Sequence, residues 1–179
     1  VLQSIDVGLV ILDRDYKIQL WNGFMENHSG LRPDDVHDKP LFGSFSEIPE
    51  TWFRQKAEPV FELKTRTFTI WEQRPYLFKF KNYRPITGRA ANMFQNSTII
   101  PLESIDGSVK HICLIIYDVT DIAINKEDLT QANGNLAHLS QTDSLTELFN
   151  RGHWEEEFQR EHKRCLRSNN PSSLVMFDI

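Results

Sequence analysis

Two stretches of alternating apolar and polar residues bracket the first 120 positions of this chain and leave few folds open to it. At the near end Val7, Leu9 and Ile11 alternate with smaller or polar neighbours. Asp13-Arg14-Asp15 then supplies turn chemistry, and Tyr16, Ile18 and Leu20 alternate again, which predicts a β-hairpin over 5–22. At the far end, strands near 95–103 and 109–118 flank Asp106-Gly107, a dipeptide suited to a hairpin turn. Strand character also appears at 66–72 and 76–83. Between these lies an irregular segment, 22–61, of short helices. Asn22 can cap a helix containing Phe24 and Met25, Gly30 can end it, and Pro33-Asp34-Asp35 can open the next. Pro40, Pro49 and Pro59 are expected to forbid any long helix across this region. Two strands, several short helices and then three or more antiparallel strands make an α+β pattern: one sheet with helices along one face.

After Asp118 the character changes. Residues 121–141 lack proline, and apolar residues fall at Ile122, Leu129, Ala132, Leu136 and Leu139. The 129-132-136-139 spacing alternates three and four, as along a coiled-coil seam. Gly134 weakens that helix by about 1 kcal/mol relative to alanine. A short dimeric helix is expected, the alternative being an amphipathic helix folded back on its own domain. A second helix is expected over 153–167, with Trp154, Phe158, His162, Cys165 and Leu166 on one face, an exposed Glu156–Arg160 pair, and Ser168-Asn169-Asn170-Pro171 ending it. Ser173 to Ile179 reads as a buried strand with the carboxylate of Asp178 near its end. Asp143 and Arg151 are placed to pair across a turn, with Leu145, Leu148 and Phe149 burying the junction. The chain thus divides into 1–120, 121–142 and 143–179.

Composition narrows the class. The chain is 40% apolar and 11% aromatic, enough for a core, and its net charge of -5 leaves no footprint for nucleic acid or an anionic membrane. No window approaches the roughly 18 apolar residues that span a bilayer, and no signal peptide opens the chain. Val1 and the apolar close at Ile179 read as cut ends, so an upstream anchor stays open. The two dispersed cysteines, Cys113 and Cys165, read as small buried hydrophobes of a reducing, cytoplasmic setting, and no zinc-type spacing is present.

The first 120 residues resemble a PAS domain, a small sensory module. The resemblance rests on Gly8-Leu-Val-Ile-Leu-Asp13, Ile18-Gln-Leu-Trp-Asn22, the Gly30 after a short helix, and a final hairpin ending in Asp118-Val-Thr120. In such domains the Asp-x-Thr step joins the last strand to an outgoing signalling helix, which makes Asp118 and Thr120 the candidates for signal transfer. PAS clefts hold haem, flavin or small metabolites. The flavin-photoreceptor motif is absent here, and the histidines of the helical region, His28 and His37, read as surface residues rather than haem ligands. Arg84 and Arg89 are weak candidates to clamp a carboxylate. Trp52, Phe53, Trp71, Phe78 and Phe80 read as core. The ligand itself is unknown, and an empty cleft stays open.

Asp143-Ser-Leu-Thr-Glu-Leu-Phe-Asn-Arg151 resembles the opening signature of GGDEF domains, the diguanylate cyclases, through Asp143, Leu145, Thr146, Leu148, Asn150 and Arg151. The helix that follows and Leu174-Val-Met-Phe-Asp-Ile179 continue the likeness as that family's first core strand. The resemblance implies that a homodimer brings two GTP together as substrate to make cyclic di-GMP, with Mg²⁺ held by Asp178 and the backbone carbonyl of Ile179. The Gly-Gly-Asp/Glu-Glu-Phe loop, the guanine-recognising pair and the phosphate-binding lysine are not in this sequence, so this chain alone is expected to be inactive. A degenerate GGDEF domain that binds nucleotide as an effector, linked to a phosphodiesterase domain, is the alternative. A PAS-linked histidine kinase fits poorly, because Leu139-Ser-Gln-Thr-Asp143 follows His138 where such kinases carry an acidic residue and then a proline.

Overall fold

The computed structural model describes residues 5–82, 90–143, 145, 146, 148–169 and 171–175, with only the backbone for 137–140. The chain divides into two compact units, Val1–Asn125 and Lys126–Ile179, the division falling within one helix.

The first unit opens with β1 (Gly8–Asp13) and β2 (Ile18–Trp21). The turn between them is held by Asp13, whose Oδ1 accepts the amides of Asp15 and Lys17, at 2.9 and 2.8 Å. Tyr16 takes a left-handed conformation there (φ 60°), which lets its ring enter the core at 3% exposure. Four helices follow: α1 (Gly23–Ser29), α2 (Pro33–Val36), α3 (Leu41–Ser44) and α4 (Glu50–Leu63). Asn22 caps α1 and Gly30 ends it at φ 74°, as its composition predicts.

Then come β3 (Thr67–Thr69), β4 (Gln95–Glu103) and β5 (Val109–Asp118). The sheet is antiparallel throughout, in the order β2-β1-β5-β4-β3, so the first and last strands lie side by side. Asp106 and Gly107 (φ 77°) turn β4 into β5, with Asp106 accepting the amide and hydroxyl of Ser108. Val10 and Leu12 of β1 and Ile112, Leu114 and Ile116 of β5 are fully buried, in one core with Met25, Leu41, Phe53 and Val60. Gly8 lies where β1 meets α1: a Cβ there would come within 2.5 Å of Met25 Sδ.

Three expectations fail here. The prolines do not prevent a long helix, because α4 runs for 14 residues with Pro59 inside it. Its buried residues Phe53, Ala57, Val60 and Phe61 recur at helical spacing, and their burial outweighs the amide that Pro59 lacks. The 66–72 segment pairs only over Thr67–Thr69 and turns at 71–73. The 76–83 segment forms no strand among its described residues beyond an isolated bridge, Lys81 to Asn92.

The second unit carries most of α5 (Thr120–Gln141) and α6 (Arg151–Ser168). Asn150 caps α6 by accepting the amide of His153 at 3.0 Å, and Asn169 ends it. Residues 173–175 form no strand, since no described neighbour in this unit offers a ladder; 176–179 lie outside the described residues.

Candidate functional site

The last strand passes into α5 through a compact joint. Asp118 Oδ1 accepts the amide of Thr120 at 3.0 Å and its hydroxyl at 2.6 Å. The same hydroxyl oxygen accepts the amide of Phe94 at 3.0 Å, while Val119 donates its amide to the Phe94 carbonyl at 3.0 Å. Thr120 is 1% exposed. A buried hydroxyl that both donates and accepts ties the helix start to the beginning of β4. Beyond it, Ala123 and Ile124 are buried, and every side chain from Asn125 to Leu136 is exposed within the single chain. Asp118 and Thr120, predicted to transfer the signal, therefore share one hydrogen-bonded cluster.

The space between sheet and helices is filled with rings. Phe78 and Phe80 stack at 5.3 Å, Phe78 meets Phe45 edge-on at 5.0 Å, and Phe45 stacks on Trp21 at 5.3 Å. Phe53 and Phe78 are fully buried and Phe80 nearly so, as core residues should be. Trp52 is half-buried beneath the Arg74 guanidinium, 4.8 Å from its ring, and Trp71 lies edge-on to Phe94 at 5.3 Å. Arg54 covers the Tyr16 ring at 4.4 Å and pairs with Glu50 at 2.7 Å. Burial pushes the Tyr16 phenol up, against the opposing pull of Arg54.

His28 is half-buried rather than at the surface: its ring packs against Phe24 at 4.2 Å and its Nδ1 lies 2.8 Å from the Phe24 carbonyl. His37 is exposed, on a shallow groove with Ile18, Trp21, Pro33 and Asp34. Arg84 and Arg89 lie outside the described residues, as do Asp178 and Ile179. Among the described residues no cluster of histidine, cysteine or acidic side chains could hold a metal.

Two residues matter more than their sequence context announces. Asn22, besides capping α1, accepts the Leu9 amide at 3.0 Å and donates to the Val7 carbonyl at 2.8 Å, sewing β1 to the helix. Gln95, 2% exposed, accepts the amides of Leu77 and Phe78 at 2.9 and 3.0 Å and donates to the Phe78 carbonyl at 2.7 Å. The one available signal for Gln95 is its parity with Ser97 and Ile99, which places a polar side chain on the buried side of β4.

In the second unit the Asp143–Arg151 segment is a turn between α5 and α6. Asp143 Oδ1 accepts the amides of Leu145 and Thr146 and the Thr146 hydroxyl, at 3.0–3.1 Å, and these donors hold its carboxyl below the usual range, the Thr146 amide most. The turn closes through Asp143 N to Leu148 O and Asn150 N to Gln141 O, each 2.8 Å. The expected Asp143–Arg151 pair does not form: Asp143 accepts from the Leu145 and Thr146 amides and the Thr146 hydroxyl, and Arg151 reaches Glu155, one turn along α6, at 2.8 Å. Leu145, Leu148 and Phe149 do not bury the junction within this chain, being 90%, 70% and 63% exposed. Arg160 pairs with Glu157 rather than Glu156, and Trp154, Phe158 and His162 do stack along one face of α6.

A five-stranded antiparallel sheet in this order, helices inserted after β2, and an Asp-x-Thr joint into a long helix define a PAS module. The family model for the PAS fold matches residues 1–119, and the chain belongs to that family. The sensory box sensor histidine kinase from Vibrio cholerae is similar at 29% identity and a TM-score of 0.51, over 66% of this chain and 85% of that one. An RNA-binding light-oxygen-voltage receptor shares the fold at 14% identity and a TM-score of 0.53, over 76% of this chain and 36% of that one. The PAS domain of histidine kinase ThkA is similar at 22% identity and a TM-score of 0.45, over 64% of this chain and all of that one. No curated protein matches the chain. The first unit is thus a PAS domain, the fold it shares with these neighbours. No helix among the described residues is long and apolar enough to cross a membrane.

Proposed function

We propose that this PAS domain is the input of a cytoplasmic diguanylate cyclase that works as a homodimer, α5 carrying its state to the catalytic domain that begins at Asp143. The observation that supports this reading is the turn itself. Asp143 gathers three hydrogen bonds, Asn150 caps α6, and the backbone closes on either side, so the polar residues of the GGDEF-like signature serve the connection between two helices. Leu129 and Leu136, 62% and 64% exposed, offer α5 a seam for its copy. In the reaction each GTP 3′-hydroxyl attacks the other's α-phosphate, two pyrophosphates leave, and cyclic di-GMP forms. Asp178 and the carbonyl of Ile179 are proposed to hold the Mg²⁺ that offsets charge on the phosphates. This chain lacks the remaining catalytic elements, so the activity belongs to the parent protein.

The test is the parent protein incubated with GTP and Mg²⁺, beside its Asp178→Ala variant. Cyclic di-GMP formed by the first and lost in the second supports the assignment. Folded, dimeric parent protein that binds GTP without forming product would replace it with the nucleotide-binding effector.

A further inference from the structure

Residues 75–80 have no strand partner, yet they carry two of the most buried rings of the first unit, Phe78 at 0% and Phe80 at 4% exposure. Most of the bonds to their backbone come from one residue, while Glu47 Oε1 accepts the Lys79 amide at 3.3 Å. The Gln95 side chain takes the amides of Leu77 and Phe78 and the carbonyl of Phe78, and the Gln95 amide donates to the Pro75 carbonyl at 2.8 Å. The Met93 amide adds a bond to the Phe80 carbonyl at 2.9 Å. Gln95 is also the residue of β4 paired with Asp118 of β5, and its neighbour Phe94 holds Val119 and Thr120 through its own carbonyl and amide. Two adjacent residues therefore link the aromatic segment on one side, at Pro75, Leu77 and Phe78, to the start of α5 on the other.

We propose that residues 75–80 form a strap whose seating in the core is coupled through Gln95 to the Asp118–Thr120 joint, so that lifting Phe78 shifts the start of α5. The chemistry favours two discrete arrangements. A carboxamide at 2% exposure cannot find water in place of its partners, so the three bonds it makes to the strap are kept or lost together, and their loss obliges the Gln95 side chain to turn. The backbone of Gln95 then moves with Phe94, whose amide and carbonyl fix the first residues of the helix. Gln95 acts as a positioning residue in this account. The inference rests on reading the unit as a sensor that reports through α5.

Amide hydrogen exchange tests it on the chain itself, in wild type, Gln95→Met, Thr120→Val and the double variant. In Gln95→Met, exchange at Leu77 and Phe78 should rise about tenfold or more, and exchange at Val119 and Ala123 should rise with it. In Thr120→Val the strap amides of Leu77 and Phe78 should respond in turn, because coupling is reciprocal. The double variant should fall short of the product of the two single effects. Ile11 and Leu114, in β1 and β5, serve as controls and should be unchanged, which separates coupling from general loss of stability. Each variant loosening its own side alone, with effects that multiply, would overturn the proposal. Should Gln95→Met fail to fold, Phe78→Leu loosens the strap with Gln95 intact, and an unchanged Ala123 there would overturn it equally. The readout needs no stimulus, so a parent protein whose output answers no input would remove the sensory reading and leave these rates as they are.

Discussion

Single residues carry the unit's tightest constraints. Asn22 serves two amides and a carbonyl at 1% exposure, so Asn22→Ala removes a helix cap and strands a half-buried carbonyl and amide together. A loss of about 2–4 kcal/mol is expected in urea unfolding, and a change under about 0.5 kcal/mol, the level of an ordinary surface substitution, would mean that water replaces all three bonds. Cys113 and Tyr16 make the fold sensitive to alkali. Burial pushes the thiol above its ordinary range and the phenol likewise, so the native state keeps protons that the unfolded chain releases. The sign follows: the stabilisation is whole below the ordinary thiol range and is lost as pH rises through it and then through the phenol's. Unfolding midpoints should fall between about pH 8 and 11, spanning the ordinary thiol and phenol ranges, and the fall should be shallower in Cys113→Ala with Tyr16→Phe; an equally steep fall would assign the effect to other groups. The same burial predicts that iodoacetamide labels the half-exposed Cys165 well before Cys113, as peptide mass spectrometry would show.

Elements show where local rules hold and where they yield. Both hairpins were legible because alternation and turn chemistry act within a few residues, as at Asp13 and at Asp106-Gly107. The length of α4 was not, since the burial of Phe53, Ala57, Val60 and Phe61 is a tertiary event that a count of prolines does not register. Pro59 still carries its local penalty, so Pro59→Ala should raise stability by about 1–2 kcal/mol after allowing for the more flexible unfolded chain. No gain in the urea midpoint would mean that the surrounding packing has absorbed the missing hydrogen bond. The 76–83 segment alternates aromatic and polar residues as a strand does, but Leu77 and Phe78 bond to a glutamine side chain where a strand would stand, and nothing in the segment's own pattern announces that. Arg151 illustrates the reverse case: a carboxylate one helical turn away prevails over one across a turn, which only the helix boundary at Asn150 makes plain. Of the candidate site, the Asp118–Thr120 joint could be read from its motif, whereas the roles of Gln95 and Phe94 depend on strand register.

For the whole molecule the open question is what covers the exposed stripe of α5. Within a single chain Ile122, Leu129 and Leu136 each leave more than half their surface in water, an arrangement that pairing of two helices would relieve. Leu129→Asp combined with Leu136→Asp should abolish dimerisation in sedimentation, whereas Gly134→Ala, where an added Cβ meets nothing within 4 Å, should strengthen it by about 1 kcal/mol. A dimer unmoved by the first pair would place the interface elsewhere. The 22-residue continuity of α5 has a further consequence, in the currency of angle. Each residue inserted into a helix turns everything beyond it by about 100°. Removing seven residues between Lys126 and Leu136 would thus nearly restore the heading of the helix residues that follow, while removing two would turn them to the opposite face. α5 is therefore an indexed shaft, and PAS domains fused to it should prove interchangeable in steps of whole heptads rather than at any convenient seam.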